Sequence, residues 1–212
     1  MNIIEIKKKD ELFPDALRAI GEDCPNTIWA MGNVDLLAET DMVAIIGARK
    51  ASGEGNKAAY TLAKKLASEG KIIVSGLAFG CDAAAHQGCL SAGGKTIAIV
   101  ATGLDRVPPQ EHAALQAEIL SKGGLILSEQ PLGVKANPKR LVARNRLQAA
   151  LSHTIIVAEC PEHSGTMHTV RFGMQYGKKI LAAKFQRENE QNTGNSYIVD
   201  EGIGEYISWR DK

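Results

Sequence analysis

The sequence predicts an α/β fold with a doubly wound, mostly parallel sheet, and three observations predict it. After residue 40, short runs rich in Ile, Val, Leu and Ala alternate with longer segments of helical apolar spacing. The short runs carry almost no charge inside, as strands buried on both faces require. The helical segments are followed by Gly70, Gly93, Gly123 and Gly177, which mark helix C-termini. Such alternation builds a sheet with right-handed crossovers and helices on both faces.

Taken in order, strands are expected at 42–46, 71–75, 96–101, 124–128, 154–159 and 179–183. Helices are expected at 56–68, 82–91, 110–121, 144–151 and 166–176. The first forty residues differ: a helix at 9–20, a short strand at 27–31 and a helical turn at 33–38. We expect residues 1–40 to be an N-terminal extension packed on a core spanning 41–212, not a separate domain. In the tail, 196–199 and 205–208 are expected to add a final strand or strap. Residues 186–195 are the most polar stretch and read as a loop.

Composition bounds the function. A chain of 212 residues suits one domain that folds without disulfides or metals. Lys and Arg number 25 against 24 Asp and Glu, a net charge of +1, so coating nucleic acid by bulk charge is excluded. Any anion site must be local. Aromatic residues are only 5% of the chain, which argues against an extended base-stacking platform. The N-terminus is charged where a signal peptide is apolar, and no run approaches a membrane span. A cytoplasmic protein without membrane contact is expected. Cys24, Cys81, Cys89 and Cys160 are scattered without metal-ligand spacing. They read as reduced thiols, and neither a metal nor a cofactor is expected.

In open parallel sheets, ligands sit beyond the carboxyl ends of the strands, where helix N-termini point free N–H groups. The strand-to-helix turns therefore carry the chemistry. The first runs Gly47-Ala48-Arg49-Lys50-Ala51-Ser52-Gly53 and places two cations beside a helix entry. It is neither the dinucleotide fingerprint nor a Walker A loop. The others are Ser75-Gly76-Leu77-Ala78-Phe79-Gly80, Thr102-Gly103-Leu104-Asp105 and Ser164-Gly165-Thr166. Together they predict a concave floor of N–H donors suited to phosphate. Between Gln130 and Gln148 lie Lys135, Lys139, Arg140, Arg144 and Arg146 with no acidic residue. Arg144-Asn145-Arg146 is expected at a helix N-terminus on the same edge, with arginines suited to phosphate. Pro131 and Pro138 are expected to stiffen the approach and bar a continuous helix.

These turns and the Arg144-Asn145-Arg146 segment, in collinear order, resemble the DNA-processing protein A family, also called Smf. The resemblance runs from Phe13-Pro14-Asp15-Ala16-Leu17 through Ile46-Gly47-Ala48-Arg49, Ser75-Gly76-Leu77-Ala78-Phe79-Gly80-Cys81-Asp82 and Leu127-Ser128-Glu129 to Thr193-Gly194-Asn195. It implies an extended Rossmann-like fold that binds single-stranded DNA. It also implies a recombination mediator of DNA uptake, transformation or recombination. Such a protein protects single strands and loads a RecA-type recombinase as a homodimer, with no catalytic reaction. By position, Arg49, Arg144 and Arg146 would contact phosphate. Gly47, Lys50, Gly76, Gly103, Lys139, Arg140, Asn145, Ser164, Gly165 and Thr166 complete the expected nucleic-acid site. Leu141-Val142 stands where the family often has Phe-Pro, so an aromatic able to stack on a base is missing there. Ala182-Ala183-Lys184-Phe185 replaces a Val-Pro-Gly turn. The chain stops just after the core, and a minimal version without a winged helix is expected.

Catalysis is disfavoured. Asp82 and His86 share a helix face with Ser75 nearby, but that pattern reads as a packed helix with Asp82 at its start. His163 and His168 flank Ser164-Gly165-Thr166 without forming a ligand cluster. Nucleotide phosphoribohydrolases of related fold need a glutamate where this chain has Thr169. A non-catalytic nucleotide sensor is the first alternative, and such a hydrolase the second.

Overall fold

The computed structural model describes residues 2–107 and 109–210; residues 211 and 212, at the end of the expected core, lie outside it. β1 (Ile3–Lys7), β2 (Thr27–Gly32), β3 (Met42–Ile46), β4 (Ile72–Ser75), β5 (Thr96–Val100), β6 (Leu125–Ser128), β7 (Thr154–Val157), β8 (Lys179–Ala183) and β9 (Glu205–Ile207) form one sheet. Their order is β1-β2-β6-β5-β4-β3-β7-β8-β9. The strands from β3 onward run parallel, while β1 pairs with β2 and β2 with β6 antiparallel. Residues 1–40 thus contribute two strands to the β6 edge of the same sheet. The chain winds outward from β3 to β6, then returns past β3 to place β7 on its other side. That reversal opens a crevice between the carboxyl ends of β3 and β7.

The helices are α1 (Asp15–Arg18), α2 (Gly53–Ser68), α3 (Cys81–Ser91), α4 (Ala113–Ser121), α5 (Pro138–Leu151), α6 (Thr166–Gln175) and α7 (Thr193–Asp200). Successive side chains of a strand point to opposite faces. In β3, Val43 and Ile45 meet α2 and α3 through Ala59, Leu62 and Ala85, while Met42, Ala44 and Ile46 belong to the layer holding α1 and α5–α7. Leu62 is fully buried in that stripe, a burial that contributes about 1.5–3 kcal/mol. Ser52 starts α2: its Oγ accepts from Gly55 N at 3.0 Å, satisfying a free donor of the first turn.

Four expectations need correction. The helix at 9–20 shrinks to α1, because Asp10 closes a turn instead, its carboxylate accepting from Lys7 N at 2.8 Å. β1 went unforeseen; its exposed Glu5 and Lys7 mask an edge strand. The segment 196–199 is helical, within α7. Asn195 sends its amide nitrogen to the carbonyls of Val157, Ala158 and Ala183 at 3.1–3.2 Å, and these bonds override the β-prone Tyr-Ile-Val. Most consequential, α5 begins at Pro138 and not at 144. Proline fits the first helical position, where its missing N–H has no partner anyway, and Asn137 Oδ1 caps the turn from Arg140 N at 2.8 Å. Pro138 therefore opens the helix that it was expected to bar.

Candidate nucleic-acid interface

A cleft of about 600 Å³ opens at the β3/β7 crevice. The turn after β3 forms one wall, with Gly47, Arg49 and Lys50. Ser164, Gly165 and Thr166 at the start of α6 form the opposite wall, and α5 closes the third side. Because α5 starts early, Arg144 sits in its second turn. Pro138, Leu141, Asn145 and Gln148, spaced by three and four, line the cleft from one helix face.

Arg144 is the floor of this site. It is 4% exposed, and its Nη1 donates to Ile99 O at 2.8 Å. Gln148 faces its amide oxygen to Arg144 Nη1 and Gly76 N, 3.0 Å from each, and its nitrogen to Asn145 Oδ1 at 3.2 Å, the orientation these neighbours require. Arg144 Nε has no partner among the described residues. Burial, the largest influence, pulls this guanidinium below its ordinary pKa, and the Asp82 carboxylate opposes that pull. Arginine remains a cation in proteins. Asp82 is pushed up by burial and drawn back by Arg144. Among the described residues, no ion pair engages Arg144, Arg49 or Lys50. Asp82 compensates the buried Arg144 charge only from outside ion-pair distance, so a bound anion lowers the remaining cost.

Gly76 is required here because any Cβ would run into the Arg144 guanidinium and the Asp82 carboxylate. Its neighbour Leu77 is a buried, left-handed residue at φ 58°, a strained conformation that the site sustains. Behind the first wall lies Glu159. It is fully buried, accepting from Ser52 N at 2.6 Å and Ser52 Oγ at 2.7 Å, while its backbone carbonyl accepts from Ala48 N at 2.7 Å. One glutamate therefore holds both ends of the Arg49–Lys50 turn. The sequence signal for it is a single charge ending an otherwise apolar strand.

The structure does not bring every expected residue together. Gly103 lies outside the cleft, its N–H spent on Val134 O at 3.0 Å in a clasp between its turn and residues 131–134. Gly76 N and Ala48 N are likewise committed. The expected floor of free N–H donors is largely replaced by cationic side chains. Lys139 and Arg140 stand on the first turn of α5 beyond the cleft lining, Lys139 exposed and Arg140 donating to Lys135 O at 2.9 Å. Arg146 points away, in a two-pronged ion pair with Glu129, 2.6 Å on each prong, and donates to Asp23 O at 2.7 Å. Burial works against its charge, but Glu129 outweighs that and raises its pKa.

The conditions for catalysis are poorly met. Ser75 Oγ donates to Ile45 O and His86 Nδ1 bonds Thr96 Oγ1, each at 2.7 Å, so neither is free for a triad. Burial pushes the Cys89 and Cys160 thiols up to about 12, far from thiolates. No cluster of metal-ligating residues occurs among the described residues. No described helix is long and apolar enough to cross a membrane.

The family model described as DNA recombination-mediator protein A matches residues 5–211. The chain belongs to that family. It is 31% identical over 197 residues to Protein Smf of Escherichia coli, an alignment covering 93% of this chain and 52% of that protein. The X-ray structure of DNA processing protein A from Streptococcus pneumoniae superposes with a TM-score of 0.88 at 33% identity, covering 98% of this chain and 71% of the other. DNA processing protein A from Helicobacter pylori, whose structure addresses its single-stranded DNA binding mode, matches with a TM-score of 0.87 at 31% identity, covering 98% and 91%. The chain spans about half the length of the first curated relatives that it matches. The mediator-family assignment places the cleft in a fold that a relative uses to bind single strands.

Proposed function

We propose that this chain is a non-enzymatic, cytoplasmic recombination mediator that binds single-stranded DNA across the β3/β7 cleft. One observation carries the reading: Arg144, buried on the cleft floor and in no ion pair among the described residues, beside exposed Arg49 and Lys50. A phosphate places negative charge among these three cations and accepts charge-assisted hydrogen bonds from them. The single-stranded DNA bound by the Helicobacter pylori relative supports the same ligand. Asn145, Ser164, Gly165 and Thr166 offer polar groups on the facing wall. Handing the strand to a RecA-type recombinase, and acting as a homodimer, extend this reading from the family. Residues 1–40 serve it as a sheet-edge extension of one domain.

Fluorescence anisotropy with labelled oligo-dT and a matched duplex across a salt series tests the proposal. Single strands are expected to bind tighter than duplex. With Arg49, Lys50 and Arg144 on phosphates, log K falls against log salt with a slope of about −2. Arg49→Ala weakens binding several-fold and shallows the slope by about 0.7; Arg144→Ala weakens it further. Unchanged binding in both variants overturns the assignment.

The cleft also falls within the size range of small-molecule pockets, which favours a mononucleotide as the rival occupant. A mononucleotide that raises the melting temperature more than oligo-dT does would establish the sensor reading instead.

A further inference from the structure

A second hollow, of about 210 Å³, adjoins the cleft and shares Arg49, Leu141 and Arg144 with it. Its character is different. Phe79, Pro109, Ala136 and Leu141 make it mainly apolar. Taking about 30 Å³ for each water of the liquid, it has room for about seven waters.

Phe79 is 44% exposed and, of the six exposed large apolar side chains among the described residues, it is the one that lines this hollow. It is not loose. Its ring meets the edge of His112 with centroids 4.8 Å apart and planes at 62°. His112 is fixed in turn, its Nδ1 2.8 Å from Leu77 O. The strained Leu77 backbone thus anchors the histidine that supports the phenylalanine from one side. The ring's remaining surface is left to the hollow and to solvent. An apolar patch of this kind, rigid and continuous with a cationic cleft, fits a ligand that is aromatic at one end and anionic at the other.

We propose that Phe79 stacks on a base of the bound single strand, with the hollow as the base subsite and the Arg49–Arg144 cleft as the phosphate subsite. The proposal rests on the single-strand reading above and names what that reading leaves open, the residue that touches a base. Stacking accepts any base, so the subsite selects unpaired DNA over duplex without a strong sequence preference.

The test compares oligo-dT with an abasic strand of equal length carrying tetrahydrofuran spacers, using the full chain. Phe79→Ala is expected to weaken oligo-dT binding roughly tenfold and to leave the abasic strand and the salt slope unchanged. Phe79→Tyr restores binding. Phe79→Trp gives a fluorescence signal that oligo-dT quenches and the abasic strand does not. Equal affinity of Phe79→Ala and the parent chain for oligo-dT overturns the proposal. Equal weakening on both strands also overturns it, since Phe79 then supports the turn or a protein partner's surface and not a base. Failure of the parent chain to bind either strand removes the single-strand reading itself, and the Phe79 proposal with it.

Discussion

On one side of α5, Arg144 lies under the cleft with a carbonyl and an amide for hydrogen-bond partners, and the nearby Asp82 carboxylate stays outside ion-pair distance. On the other side, two residues later, Arg146 closes on Glu129 and on the backbone of Asp23, where Tyr176 and Gln175 also converge on the Asp23 carboxylate at 2.7 and 2.9 Å. Both arginines come from one basic segment and look equivalent in the sequence. A two-residue step along a helix turns a side chain by about 200°, so the same residue type is unpaired on one face and satisfied on the other. The unpaired one can hold a ligand. The satisfied one fastens the N-terminal extension to the core.

The sharpest way to break this comparison is to substitute each face in turn. Gly76→Ala is expected to act like loss of Arg144, because the new methyl group runs into the guanidinium, and into the Asp82 carboxylate beside it. Anisotropy should show oligo-dT affinity falling at least tenfold with a small change in melting temperature. Retained affinity would mean that the floor arginine is not a contact. Arg146→Ala should do the reverse. Removing one partner of a mostly buried pair costs about 3 kcal/mol, or about 6–12 °C in melting temperature for a chain of this size. Binding of the folded fraction should change less than threefold. The double substitution Arg146→Met with Glu129→Leu should recover most of that stability, since it leaves no charge unpaired.

A smaller effect concerns pH. Burial, with the His112 and Arg144 charges, lowers His86 to about 3. Between that value and the ordinary pKa near 6.5, the unfolded chain binds a proton that the folded chain refuses. Stability from this residue is therefore complete above about pH 6.5 and is lost progressively on acidification toward pH 3. Denaturant melts from pH 7 to 4 should show a slope that drops by about one proton in His86→Gln. An unchanged slope would separate acid sensitivity from this side of the sheet.

Much of the fold was legible because its core strands are short, apolar and β-branched, and because glycine follows the helices. All six core strands and five helices fall where the pattern puts them, within a few residues at most ends. The exceptions share a cause: long-range contacts decide them. Glu5 and Lys7 obscure an edge strand, and Asn195 recruits α7 through three carbonyls far away in sequence. The site was legible as a list and not as an arrangement. Arg49, Lys50, Arg144, Asn145 and the Ser164–Thr166 turn meet at one cleft, yet a helix start misplaced by six residues hid which arginine faces it. Phe79 stands in the sequence as one residue of a glycine turn, and residue type alone does not give its exposure.

Glu159 has a kinetic consequence. Its carboxylate grips Ser52 and its carbonyl holds Ala48, so only residues 49–51 arch freely between the two grips. Their ordering is completed when the protein folds, and an arriving strand meets cations already in position. Interactions prepared in this way lengthen the residence time of a complex more than they hasten its formation. On the proposed single-strand reading, the short arch favours long dwell times of the bound strand.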